Sequence, residues 1–459
     1  MSIINPQLFR SYSIRGDADR DLPDDVVIHI GQAIGVFFRE RDSQCLVVGR
    51  DGRLSSARIS QQLIAGLLRA GLSVIDVGMV PTPAHNFATD WYQADGGVMV
   101  TASHNPADQN GLKLRNSHRT LSEAELQEIY HLAQALPSAT AAGFQPNGRL
   151  EQSDVIPIYL DKLAVQASFP RRPKVVVDGG HGMNGPLVGR LLREAGCEVV
   201  ELFCQVVGRF PGRDPDPTAP GALDALSAAV RQAKADVGLA YDGDGDRLAV
   251  VDEQGQWILG DYVLMLLARQ VLAHGPASIV HEVLCSQALT DDILAHGGWP
   301  VRTACGYAFV HQAVLEHQAP LGGELSGHLF FNRRHFRFDD AIQASDELLN
   351  MLAVDGEPLA ARVAQLPRYY ASPPMRLPCA DHIKGQVVEQ VKHHFGADWP
   401  LDEVDGVRID FGDGWALVRA SNTQPALSLR FEARTQAGLE QLMRLVLGRV
   451  QHWIAAYGG

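Results

Sequence analysis

The chain has 459 residues, 46% of them apolar and 20% charged, which is the balance of a folded globular protein and excludes a disordered one. At roughly 100–200 residues per domain, three or four domains are expected. Its 40 basic and 53 acidic side chains leave a net charge of −13, which argues against nucleic acid or an anionic membrane as main partner; a phosphorylated substrate would need a local cluster of arginines and lysines.

The N-terminus has no basic segment followed by an apolar one, and no apolar run approaches roughly 18 residues, so a cytosolic location is expected. Cys45, Cys197, Cys204, Cys285, Cys305 and Cys379 are scattered without metal-type pairing, as reduced core thiols would be.

Phe9-Arg10-Ser11-Tyr12-Ser13-Ile14-Arg15-Gly16 opens the first domain, and on composition alone Tyr12 and Arg15 fit a rim as readily as a site. A strand over 45–49, the turn Arg50-Asp51-Gly52-Arg53, a helix over 56–70 with Ile59, Leu63 and Leu67 on one face, and a strand over 72–77 form a βαβ pattern. Gly97-Val98-Met99-Val100 is a short buried strand that ends at Thr101-Ala102-Ser103-His104-Asn105-Pro106. Pro106, Asp108, Asn110 and Gly111 are expected to keep the backbone beyond it out of helix and sheet, so that Ser103 and His104 stand on a turn held by a rigid strand. Alone, such a pair is more often a polar turn than a catalytic one. Ser122-Glu123-Ala124-Glu125 is a capping box for a helix closing this first repeat.

The strand–turn–helix–glycine–strand pattern recurs from Val175 and again from Ser278, which implies three domains built alike. Residues 211–220, rich in proline, glycine and aspartate, form a loop. Between two strand-like runs lies Tyr241-Asp242-Gly243-Asp244-Gly245-Asp246-Arg247, whose three alternate carboxylates can converge on one hard divalent cation and would repel one another without it. Glu253 would suit the twelfth position of an EF-hand, but Arg247 stands where that loop needs glycine.

Beyond residue 366 the pattern changes. Residues 369–378 are a proline-rich linker, 382–395 a helix, and 407–411, 415–419 and 427–433 antiparallel strands before a long final helix, an α+β module. Between its strands, Arg419-Ala420-Ser421-Asn422-Thr423-Gln424-Pro425 offers hydroxyls, an amide, backbone N–H groups and a guanidinium to a phosphate, although a plain turn accounts for the same residues.

Thr101 to Pro106, Asp242 to Arg247 and a third stretch, Gly323-Glu324-Leu325-Ser326-Gly327-His328, resemble in order and spacing the phosphoserine, metal-binding and sugar-binding loops of the α-D-phosphohexomutases. The resemblance is nearest to the bacterial phosphomannomutase/phosphoglucomutase group and runs from Phe9 to the final helix. It implies three similar α/β domains with mixed, mainly parallel sheets (1–149, 150–253 and 254–365) and a C-terminal α+β domain (366–459), arranged around a central cleft.

The implied reaction is a reversible shift of phosphate between C1 and C6 of glucose or mannose phosphates. Phospho-Ser103 donates to the free hydroxyl, a hexose 1,6-bisphosphate forms and turns end for end, and its other phosphate returns to Ser103. The bisphosphate is then intermediate and activator. The implied cofactor is Mg2+, held by Asp242, Asp244, Asp246 and an oxygen on Ser103, where it neutralises phosphate charge. Arg15 and Arg247 spread positive charge over the transferring group. Lys113 and His328 are the general acid/base candidates, and His104 orients Ser103 or its phosphate. Tyr12, Tyr307, Glu324, Leu325, Ser326, Gly327 and His328 are carried over as sugar contacts. Arg419, Ala420, Ser421, Asn422 and Thr423 form the phosphate cradle, with Arg430 in support. The partners are small hexose phosphates, and a monomer is expected.

Leu284 stands where close relatives usually have a substrate-facing lysine, and Tyr307 where they usually have histidine; Gln109 and His181 also depart from the common tyrosine and asparagine. The rival within the resemblance is a phosphoglucosamine mutase, which usually has a polar residue at the place of Leu325. A haloacid-dehalogenase-like phosphatase with Asp242 as nucleophile leaves Ser103 and residues 419–423 without a role. Against a non-catalytic sugar-phosphate-binding protein stand the intact Ser103 and the three aspartates.

Overall fold

The computed structural model describes residues 4–136, 148–163, 172–332, 336–421 and 425–458. The chain divides into two units, Met1–Gly260 with Ser326–Arg362, and Asp261–Leu325 with Val363–Gly459.

In the first unit, the apolar run Gly96–Val100 is buried along its whole length, as a strand covered on both faces must be. It pairs in parallel with Cys45–Arg50, which pairs in parallel with Ser73–Met79, and that strand with Leu150–Gln152. Helix Ser56–Arg69 buries Ile59, Leu63 and Leu67, the stripe expected from their four-residue spacing. On the other side of Gly96–Val100 the structure corrects the expectation of an irregular segment: Gln109–Asn116 is a strand, antiparallel both to Gly96–Val100 and to Ile14–Asp17. Asn110 and Gly111 disfavour strand locally, but a ladder on each side outweighs that preference. The pairing also places Lys113 opposite Met99, four residues before Ser103.

The capping box is present: the Ser122 hydroxyl accepts from the Glu125 N–H, and the Glu125 carboxylate accepts from the Ser122 N–H, starting helix Glu123–Ala135. Ser122→Ala should cost this helix about 1 kcal/mol. Amide exchange within it should then quicken roughly fivefold.

A second sheet in this unit orders Trp257–Ile258, Leu248–Asp252, Val237–Tyr241, Lys174–Asp178 and Glu198–Leu202. Val237–Tyr241 and Leu248–Asp252 are antiparallel and buried throughout, so the aspartate loop is the turn of a rigid hairpin.

In the second unit Ser278–Glu282 lies between Trp299–Thr303 and Leu321–Gly323, parallel to both, with helices Gln287–Ala295 and Tyr307–Glu316 in the connections. An antiparallel sheet of Leu401–Asp402, Val407–Asp410, Gly414–Ala420 and Ala426–Ala433 shares a core with helices Asp381–Phe395 and Gln436–Gly458, including Val391, Val418, Phe431 and Val446. The expected linker over 369–378 is a second correction, because Tyr370–Ala371 and Met375–Pro378 both pair with Ala426–Ala433. Pro373 and Pro374 fall between the two short strands and Pro378 ends the second, which is how an edge accommodates proline. Among the described residues no helix is long and apolar enough to cross a membrane.

Candidate active site

Where Gly96–Val100 ends, the chain turns sharply. The Thr101 hydroxyl accepts from the Ser103 N–H at 2.8 Å, and Ser103 adopts φ +52°, a left-handed conformation uncommon for serine. This aims Ser103 Oγ at the hairpin loop 139 positions away, where it donates to Asp242 Oδ2 at 2.9 Å. The two loops meet closely at Gly243: a Cβ there would lie 2.5 Å from the Ser103 carbonyl oxygen, so only glycine allows the contact. Gly245, at φ +81°, faces Asn184, whose amide donates to the Gly245 carbonyl.

Asp242, Asp244 and Asp246 are fully buried, and one oxygen of each lies within 4.8 Å of the others. Asp242 Oδ1 accepts the N–H groups of Gly245 and Arg247. Lys113 Nζ bridges Asp244 at 2.7 Å and Asp246 at 2.5 Å, and the Thr82 hydroxyl donates to Asp244 at 2.6 Å. Asp244 Oδ1 and Asp246 Oδ1 are buried and accept no hydrogen bond. Burial, then the charges of Asp246 and Asp244, push the Asp242 carboxyl well above the usual range. Burial acts against ionisation of Asp244 too, but the charge and hydrogen bond of Lys113 hold it well below that range. Three convergent carboxylates, with two oxygens lacking donors and one lysine to balance them, fit a hard divalent cation such as Mg2+.

Arg247 Nε donates to His328 Nε2 at 2.9 Å, and His328 Nδ1 lies 2.6 Å from Asp339 Oδ2 and 3.8 Å from Asp246 Oδ1. A ring that accepts at Nε2 carries its proton at Nδ1, so Asp339 fixes both tautomer and orientation. Burial opposes a charged His328, but Asp246 and Asp339 outweigh it and lift the ring to about 9. A cation on Asp246 would oppose the pull of that carboxylate and favour the neutral ring that Arg247 requires. Arg15 Nη1 lies 3.4 Å from the Ala102 carbonyl and from Asn105 Oδ1, which puts its guanidinium beside the serine loop. His104 Nδ1 is 3.2 Å from Ser103 Oγ; burial and the charges of Arg247 and Arg15 lower this ring well below its ordinary value, which suits an orienting role. Tyr12 is half-buried in the turn closed by the Arg10 N–H and the Ser13 carbonyl. Ser326 and Gly327 lead into His328, and the Gly327 carbonyl accepts from the Leu248 N–H, tying this stretch to the hairpin.

The remaining expected residues belong to the second unit. Glu324 accepts from the Gly306 N–H at 2.8 Å, at the start of helix Tyr307–Glu316, whose first residue, Tyr307, is half-buried. The Leu325 N–H donates to Glu282, whose carboxyl is pushed up to about 7 by burial and by the charge of Glu324. Arg419 pairs with Asp405 at 2.8 Å near the end of strand Gly414–Ala420, and the Lys384 ammonium grips the Ser421 carbonyl at 2.7 Å. Asn422 and Thr423 lie outside the described residues. Arg430, assigned to the cradle as support, reaches the Leu284 carbonyl and, at 3.6 Å, Asp261.

Family models described as phosphoglucomutase/phosphomannomutase alpha/beta/alpha domains I, II and III and C-terminal domain match residues 6–139, 157–255, 259–370 and 375–448. The chain belongs to the phosphoglucomutase/phosphomannomutase family. It is 38% identical over 439 residues to the phosphomannomutase/phosphoglucomutase of Pseudomonas aeruginosa, covering 95% of this chain and 93% of that protein. It is 37% identical over 446 residues to the phosphoglucomutase of Neisseria gonorrhoeae, covering 96% of each. The crystal structure of a phosphoglucomutase/phosphomannomutase family protein from Burkholderia thailandensis matches with a TM-score of 0.90 at 35% identity over 98% of both chains.

The departures from the phosphoglucomutase/phosphomannomutase pattern now have surroundings. Leu284 packs with Cys305 against Val283, Trp415 and Leu417, an apolar contact at the position where the resemblance leads one to expect a lysine. His181, at φ +58°, holds the Gln205 carbonyl through Nδ1, and Gln109 accepts from the Asn105 amide. Sequence reasoning missed Thr82, Asn184, Asp339 and Lys384, each of which touches a site residue only through tertiary contact. A signal existed for Asp339 alone: Asp340 caps helix Ala341–Asp355, leaving the aspartate before it available for other work.

Proposed function

We propose that this chain is a phosphohexomutase, an isomerase that interconverts the 1- and 6-phosphates of glucose and of mannose through phospho-Ser103 and a hexose 1,6-bisphosphate. The observation that carries the reading is Ser103 Oγ at 2.9 Å from Asp242, inside the aspartate triad. A phosphoserine needs a countercharge, and a lone serine hydroxyl needs help to leave as an alkoxide; a divalent cation on the triad would meet both needs at one place.

Mg2+ bound by Asp242, Asp244 and Asp246 would supply that countercharge. In the first half-reaction the free sugar hydroxyl attacks phosphorus, the bond from phosphorus to Ser103 Oγ breaks, and Oγ takes a proton. Lys113 and His328 remain the candidates to exchange the sugar proton, and Arg15 and Arg247 the candidates to balance the equatorial phosphoryl oxygens. After the bisphosphate reverses, the same steps run backwards on its other phosphate. Glu324 and Ser326 are suited to the ring hydroxyls, and Arg419 with residues 420–423 to the phosphate that is not reacting. We assign domain boundaries after residues 149, 253 and 365, a cytosolic location and a monomer to the same reading.

Coupled assays with the 1-phosphates of glucose, mannose and glucosamine, each with a trace of bisphosphate, test it. Turnover of the first two is expected. Turnover of glucosamine 1-phosphate alone would move the chain to the phosphoglucosamine reading. Arg419→Ala should weaken glucose 1-phosphate binding roughly ten- to hundredfold, the scale of a charged hydrogen bond, and leave Mg2+ uptake unchanged. Calorimetric titration of both ligands measures this, and an unaltered sugar-phosphate affinity would remove the cradle from the scheme.

A further inference from the structure

Arg53 is a buried guanidinium that the chemistry above does not use. Its side chain has no exposed surface, and burying such a group is costly unless every N–H finds an acceptor. Here all five do. Nη2 donates to the carbonyls of Ser103 at 2.7 Å and Asn105 at 2.6 Å, and Nη1 to those of Pro106 at 2.5 Å and Gln109 at 3.1 Å. The fifth, on Nε, goes to Asp51 Oδ2 at 3.1 Å. One side chain therefore gathers four carbonyls of the serine loop. The Phe210 ring lies 5.1 Å from the same guanidinium.

Asp51 is anchored in turn. It accepts from the Ser56 hydroxyl, from the Arg53 N–H and from the Thr101 hydroxyl, and that hydroxyl takes the Ser103 N–H. Ser103 is thus gripped on both sides of its left-handed φ, at the N–H through Thr101 and Asp51 and at the carbonyl through Arg53. Left-handed backbone at a non-glycine residue persists only when its surroundings hold it there.

We propose that Arg53 is a positioning residue for phosphoryl transfer, holding Ser103 in the conformation that aims Oγ at the aspartate triad. The assignment rests on the phosphoserine reading. Lysine keeps the charge but, as a compact three-donor ammonium, cannot span four carbonyls and a carboxylate.

The test is Arg53→Lys in the full-length protein. Both proteins are first dephosphorylated and checked for folding by circular dichroism and thermal unfolding. They then receive glucose 1,6-bisphosphate with Mg2+, and intact-mass spectrometry follows phosphate arriving on Ser103. A misaim of about 1 Å should slow this step roughly a hundredfold and lower kcat in parallel, while KM for glucose 1-phosphate stays within about twofold. A variant that melts earlier but phosphorylates at the wild-type rate would make Arg53 purely structural and overturn the assignment. If wild-type protein turns over and never acquires phosphate on Ser103, the phosphoserine reading falls and this inference with it. Should Arg53→Lys fail to fold, Asp51→Asn carries the same test. It puts an amide where the carboxylate now takes both Arg53 Nε and the Thr101 hydroxyl, weakening the two grips on Ser103 together while leaving the four carbonyls in reach, with an expected loss of about tenfold; an unchanged rate there would equally overturn the proposal.

Discussion

Ser103→Ala should lower mutase turnover by at least about 10⁴-fold, the scale on which enzymes lose rate when a serine nucleophile is removed. The fold should survive, because the change removes one hydroxyl and leaves the backbone contacts of the loop in place. Alanine meets the same steric cost as serine at φ +52°, so the loop is not asked for a new conformation. Intact mass after exposure to glucose 1,6-bisphosphate should show no added phosphate. Wild-type phosphatase activity with phosphate on Asp242 in this variant would instead favour the aspartyl-phosphate mechanism.

Lys113→Met should destabilise the metal-free protein by about 3–5 kcal/mol, the cost of removing one partner from a buried charge network. Its ammonium is the cation bridging Asp244 and Asp246, and both have a second oxygen without a donor. Without it the three carboxylates repel one another in a site of low polarity. The sign of the pH effect follows from Asp244. Lys113 holds it below its ordinary value, so its contribution is present above the unfolded-state pKa and lost as pH falls through the folded one. The deficit of Lys113→Met should therefore be largest near neutrality and shrink towards acid. Saturating Mg2+ should restore much of the loss, because a cation replaces the missing charge and stabilises whichever state binds it. Thermal unfolding in chelator and in Mg2+ reads both effects. A Mg2+ response no larger in the variant than in wild type would remove the cation from the triad.

The legible parts of this protein share one property: they are written in residues close together in the chain. The buried run into Ser103, the four-residue stripe on helix Ser56–Arg69, the capping box at Ser122 and the alternate aspartates of the hairpin turn all set local conformation through side chains within a few positions. Asn110, Gly111, Tyr370–Ala371 and Met375–Pro378 depart from the sequence expectation for the converse reason. Asparagine, glycine and the nearby prolines disfavour strand locally, and ladders to strands elsewhere in the chain overrode that.

The candidate loops could be named from sequence through their resemblance to the family, but not their aim. That Ser103 points at Asp242 depends on Gly243 allowing close approach and on Arg53 gathering the loop carbonyls, while Thr82 and Asp339 arrive from other elements to hold Asp244 and His328. By itself the sequence supplied short runs around Ser103, Asp242 and Arg419 whose order and spacing resemble the family's loops, and it is that resemblance that makes them candidates for nucleophile, metal ligands and phosphate donors. Only the tertiary structure decided which groups meet, because a buried charge takes its partner from whatever the fold brings within about 3 Å, regardless of separation along the chain.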